Sequence, residues 1–166
     1  MSNKKKLLKE NDVVGIASTQ NHFIRAILLN LARGGRSRKN REEALRYFEE
    51  RCAYCGTDKG IELDHAIPAN REKLGTNQHG NLVPACKGCN SKKRDKDYIE
   101  YCRTDKRIKN AEEKIRKIKK FMEENGYKPL TQTKSREKKI RMVLNMAWEE
   151  IRVIAKRYIE LVNLLK

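Results

Sequence analysis

Cys52-Ala53-Tyr54-Cys55 and Cys86-Lys87-Gly88-Cys89 enclose the run Ile61-Glu62-Leu63-Asp64-His65 and the stretch Gly80-Asn81-Leu82-Val83-Pro84, and Asn90 follows the last cysteine directly. Four thiolates in two closely spaced pairs can close a tetrahedral zinc site, and with all four positions filled by protein the metal is structural. A thiol redox pair is the rival reading of one Cys-x-x-Cys; two pairs with turn residues around them favour zinc. Between the pairs, the chain reads as a short strand over 61–63 that ends at Asp64-His65, a loop over 66–80, a second strand over 82–84, and a helix that starts at the second cysteine pair and runs past Tyr98. An acid, an imidazole and an amide therefore lie inside one metal-clamped unit, and these are the groups used to activate water beside an oxygen-ligated cation.

Outward from this unit the sequence is helical and basic. Phe23, Ile24, Ile27, Leu28, Leu31 and Ala32 follow a helical period that Gly34-Gly35 ends, after a polar, loose arm over residues 1–20. Asn40-Arg41-Glu42-Glu43 has the form of a capping box opening a helix through Ala44, Leu45 and Phe48. Ile108, Ala111, Ile115, Ile118 and Met122 mark an amphipathic helix closed by Asn125-Gly126. In the last helix Ile140, Leu144, Ala147, Ile151, Ile154, Tyr158, Leu161 and Leu165 form a heptad seam, which fits either the chain's own preceding helix or a second copy.

The expected architecture is α+β and mostly helical. It divides into a basic N-terminal arm with helices (1–50), a zinc-bound core (51–102) and a C-terminal helical extension for dimerisation or DNA binding (103–166). A net charge of +17 points to a polyanionic partner, because neutralised phosphates release their counterions. Aromatics at 6% are too few for a surface built mainly to stack unpaired bases. Hydrophobic content of 38% is low for a large core, which makes a metal staple useful. The odd cysteine count, the basic start without an apolar leader and the short apolar runs lead us to expect an intracellular, cytoplasmic protein with no membrane span.

In their order, Leu63-Asp64-His65-x-Ile67-Pro68, Gly80-Asn81-Leu82-Val83 and Cys86-x-x-Cys89-Asn90-x-x-Lys93 closely resemble the HNH endonuclease family, of ββα-metal fold, in its four-cysteine subgroup. The resemblance covers about residues 50–95 and says nothing about the helical flanks. It implies a metal-dependent endonuclease that leaves a 5′ phosphate and a 3′ hydroxyl, with double-stranded DNA as substrate. By it, His65 is the general base, Asp64 a metal-binding carboxylate, Asn81 the amide that braces the loop, and Asn90 a second ligand where many members carry histidine. An amide oxygen there suits a hard ion, Mg2+ or Mn2+. Lys92, Lys93 and Arg94 are expected to hold backbone phosphates. His79 lies near enough to touch a phosphate, Tyr54 belongs to the knuckle, and His22 and Cys102 to packing or surface. A restriction-type dimer through the last helix, a homing or phage-type nicking enzyme, and a non-catalytic zinc module that only binds nucleic acid all remain open.

Overall fold

A computed structural model describes residues 15–31 and 37–165, so residues 1–14 of the expected 1–20 arm and the Gly34-Gly35 stop lie outside the described residues. The order of elements is α1 (Ile16–Leu31), α2 (Arg38–Tyr47), β1 (Ile61–His65), β2 (Leu82–Cys86), α3 (Lys87–Lys93), α4 (Tyr98–Thr104), α5 (Ala111–Glu124) and α6 (Lys134–Leu164). This is the expected α+β, mostly helical arrangement: a β-hairpin and helix around the four cysteines, flanked by helices.

β1 and β2 pair antiparallel, with Asp64 opposite Val83 and His65 opposite Leu82. Both chemistry-bearing residues thus belong to the strand itself. The 66–80 loop that joins the strands is pinned rather than slack. Gly75 N–H donates to the Pro68 carbonyl at 2.9 Å, and a Cβ at Gly75 would stand 1.9 Å from the Ile67 carbonyl oxygen. No side chain fits there, which is why the loop needs glycine at that point.

Several boundaries differ from the sequence reading. α1 begins at Ile16, not after residue 20, because Gln20 is buried and donates its amide to the Trp148 carbonyl at 2.9 Å. The cap of α2 is Ser37, whose hydroxyl accepts from Asn40 N–H, so Asn40 sits in the first turn and not at the cap. The helix after the second cysteine pair does not run past Tyr98. It stops at Arg94, whose φ of 51° is left-handed, and Asp97 restarts it by accepting from Glu100 N–H at 2.9 Å. The break is tied down from outside, since Tyr98 N–H donates to the Ala66 carbonyl at 2.9 Å.

Two apolar clusters result. The larger surrounds the hairpin and includes Phe48, Tyr54, Val83, Tyr101, Ile118 and Phe121. The smaller joins Ile24 and Leu28 of α1 to Leu144 of α6, with Leu74 and Leu130. The heptad seam is only half buried. Leu144 is fully covered, whereas Ile154, Tyr158, Leu161 and Leu165 are between 49% and 86% exposed, and the buried side farther along α6 passes through Ile159 instead. Length explains this: a 16-residue α1 spans about 24 Å and a 31-residue α6 about 46 Å at 1.5 Å per residue. Among the described residues, no helix is long and apolar enough to cross a membrane.

Candidate active site

The cysteines come first because they set the frame. Cys52 follows the turn after α2, and its neighbour Ala53 donates its N–H to the Pro84 carbonyl at 2.8 Å, tying the knuckle to β2. Cys86 ends β2 and caps α3, its sulfur accepting from Cys89 N–H at 3.4 Å; Cys52 sulfur accepts from Cys55 N–H in the same way at 3.5 Å. All four sulfurs lie within 4.8 Å of one another. Cys55 and Cys86 sulfurs are 3.8 Å apart, the edge of a tetrahedron whose Zn–S arms are about 2.3 Å, and far beyond a disulfide bond of about 2.05 Å. The hydrogen bond from Cys89 holds the Cys52 thiol down to about 4, against burial, while the same contact pushes the Cys89 thiol up. Sulfurs this close ionise at one another's expense unless a cation joins them, and the donor set is that of a structural zinc site.

One layer away, alternation along β1 puts Glu62 and Asp64 on the face turned to α3, where Asn90 and Lys93 follow one turn apart. Asn90 donates its amide N–H to Glu62 Oε1 at 2.6 Å. Lys93 Nζ lies 3.1 Å from Asp64 Oδ2 and donates to the His65 carbonyl at 2.7 Å. The Tyr54 hydroxyl donates to Asp64 Oδ2 at 2.6 Å. Burial pushes the Asp64 carboxyl up from its ordinary value and the Lys93 ammonium down, each partly offset by the other's charge. The Tyr54 phenol is raised well above its usual range by burial and by Asp64, so it stays protonated and donates.

His65 is buried, and its Nε2 lies 2.8 Å from Asn77 Oδ1. With that nitrogen carrying the proton, the lone pair sits on Nδ1. Asn81 is wholly buried. Its Oδ1 accepts from Ile67 N–H at 2.8 Å, and its amide donates to the Ile67 and Thr76 carbonyls at 3.0 and 2.8 Å, stitching both ends of the loop beside His65. Asp64, His65, Asn90, Lys93 and Arg94 line one cleft of about 210 Å³, and Arg25 from α1 lines it as well.

The four cysteines share one cluster, Asp64, His65 and Asn90 line one cleft, and Asn81 binds the loop beside them. Lys93 also lines the cleft, but it is 1% exposed and bound to Asp64, so it is no surface phosphate contact, because a strand carboxylate and carbonyl draw its ammonium inward. Lys92 and Arg94 stay exposed. Tyr54 is more than knuckle filling, since it links the cysteine turn to Asp64. His79 faces Glu43 at 3.5 Å and the Phe121 ring, not the cleft residues. His22 bonds the Ser18 carbonyl at 2.8 Å within α1, and Cys102 is buried, as expected of packing and surface residues. Sequence reasoning missed Glu62, Asn77 and Arg25. Period-two alternation with Asp64 could have found Glu62; nothing local marks the others.

The family model described as HNH endonuclease matches residues 52–96. Over 85 residues the chain is 32% identical to the "SPbeta prophage-derived putative HNH endonuclease YoqL" of Bacillus subtilis (strain 168), a match covering 46% of this chain and 36% of that protein. The chain thus spans little more than a third of that relative's length.

Proposed function

We propose that this chain, which belongs to the HNH endonuclease family through residues 52–96 and carries the four-cysteine cluster typical of its zinc-stabilised domains, hydrolyses phosphodiester bonds in double-stranded DNA. The observation that carries the reading is the convergence of Asp64, His65 and Asn90 on a single cleft. His65 is the general base: Asn77 orients its ring, and a neutral imidazole has the basicity to take a proton from water near neutral pH. Asp64 and Asn90 would hold a divalent ion through a carboxylate and an amide oxygen, a donor set that suits magnesium or manganese. Such an ion, when bound, stabilises the charge that grows on the phosphate. Glu62 holds the nitrogen of Asn90, which turns the amide oxygen away from Glu62. Asn81 keeps the loop, and so Asn77, in register with His65.

Incubating supercoiled plasmid with the zinc-loaded protein and magnesium or manganese tests this. Wild type should nick or linearise it, and His65→Ala should lose at least about 100-fold in rate. Undiminished cleavage by the variant would remove His65 as base.

One observation favours the second reading, a zinc module that binds nucleic acid without cutting it: the Lys93 ammonium occupies the Asp64 carboxylate. That reading predicts salt-sensitive binding and intact plasmid at every divalent ion tried. A restriction-type dimer extends the first reading, supported by the exposure of Ile154 and Tyr158, at 56% and 64%. Ile154→Glu should then lower the sedimentation coefficient, and an unchanged profile would end the dimer.

A further inference from the structure

Beside the cleft opens a second cavity, of about 340 Å³, and the two share Arg25, Ala69, Asn70 and Asp95. Its far wall is Arg71 and Trp148, with the Arg71 guanidinium 4.4 Å from the indole centroid. The Asn70–Glu72 turn and Trp148 are held by directed bonds. Asn70 Oδ1 accepts from Lys73 N–H at 2.8 Å, shaping the turn that carries Arg71. Arg141 donates to the carbonyls of Arg71 and Glu72 at 3.0 and 3.2 Å, fastening that turn to α6. Gln20 fastens α1 to the Trp148 carbonyl.

Arg25 differs from its surroundings. It is exposed, it stands where the two cavities meet, and among the described residues it makes no hydrogen bond or ion pair. Glu72 and Asp95 also line the second cavity, so bulk positive potential does not explain it. What singles it out from Arg94, the other exposed arginine of the cleft, is its place at the junction, with a cation–indole contact beyond it. A DNA strand attacked at His65 must leave the cleft on either side, and the groove past Arg25 is a preformed exit. Its volume is of the size that seats a small ligand such as one nucleotide.

We propose that this groove binds the nucleotide next to the scissile phosphate, with Arg25 paired to the phosphate between them and the Arg71–Trp148 pair supporting the sugar beyond. This rests on the nuclease reading of the adjoining cleft. It makes α1 and α6, which lie outside the matched segment, a wall of the substrate site.

Trp148 is the chain's sole tryptophan, so its emission reports occupancy of the groove. The zinc-loaded protein, without magnesium or manganese, is titrated with a dye-labelled duplex DNA oligonucleotide at several salt concentrations, following tryptophan emission and dye anisotropy. Emission should change along the same isotherm as anisotropy. Arg25→Ala should weaken binding about tenfold and lower the slope of log K against log salt by about one, with Arg25→Lys between it and wild type. Arg116→Ala, which removes the same charge from α5, should change affinity less than about twofold. Unchanged emission in a saturated complex, equal effects of Arg25→Ala and Arg116→Ala, or no duplex binding at all would each overturn the proposal. Arg25-dependent binding without cleavage in magnesium would instead sink only the hydrolytic reading.

Discussion

The two apolar clusters of this chain are held by different kinds of force. Around the cysteines, burial is threaded by directed contacts: four sulfurs that fit zinc, Tyr54 on Asp64, Lys93 on both Asp64 and the His65 carbonyl, and Asn81 with three bonds to the loop. Between α1 and α6 the cluster is aliphatic, with Ile24, Leu28 and Leu144 in contact and Gln20 as its polar latch. The first kind of region fixes the direction of each side chain as well as its position. The second supplies area and tolerates change. They meet at Leu74, which leaves the 66–80 loop to seat in the aliphatic cluster, three residues before Asn77. Plain burial on one side thereby holds the partner of His65 on the other.

This contrast can be broken at graded points. Removing a zinc ligand, as in Cys89→Ser, should have the largest effect, since binding of a structural zinc is worth about 10 kcal/mol of folding. Circular dichroism should show loss of the cooperative transition, and elemental analysis loss of the metal. A variant that melts like wild type would mean the thiols do not hold the core together. Next comes Lys93→Ala, which leaves Asp64 buried without its counter-charge and should cost about 4 kcal/mol by urea denaturation. Pairing Lys93→Met with Asp64→Leu should recover most of that stability but not cleavage. Equal cost in the single and paired variants would show that packing, not charge, sets the loss.

Leu74→Ala tests the junction. A buried leucine truncated to alanine costs about 3 kcal/mol; zinc content should stay whole while cleavage falls, because the loop loses its anchor. Full activity would separate the aliphatic cluster from the site.

The smallest effect should come from Asp97. Burial pushes its carboxyl up, but the Glu100 N–H bond and the Lys73 ammonium outweigh that and hold it below its ordinary value of 3.8. A carboxylate lowered in the fold adds stability that is complete above the unfolded value and is lost as pH falls through the folded one. Asp97→Ala should therefore cost about 1 kcal/mol at neutral pH, and the gap to wild type should close on acidification. A gap that does not change with pH would make its role steric.

Legibility follows the same division. Asp64 and His65 were readable because a strand ending in an acid and an imidazole between two cysteine pairs is a local pattern. Lys93 was readable as a residue but not in its role: a lysine beside Lys92 and Arg94 looks like a phosphate contact until the helix is laid on β1, where its side chain meets Asp64. The Arg94 break escaped notice because it is imposed by contacts from Ala66 and Asp97, not by glycine or proline. Asn77 and Arg25 carry no local signature; closure of the loop brings Asn77 to His65, and docking of α1 brings Arg25 to the cleft.

What the sequence alone determined is the four-cysteine cluster, the hairpin that carries Asp64 and His65, the helical flanks and a charge suited to a polyanion, since each rests on spacing or composition within a short span. Tertiary structure alone decided that Lys93 turns inward, that Glu62 and Asn77 orient the site, that half the seam of α6 stays exposed, and that α1 reaches the cleft. Those outcomes depend on which surfaces meet, and burial, unlike metal ligation, does not name its partner in advance.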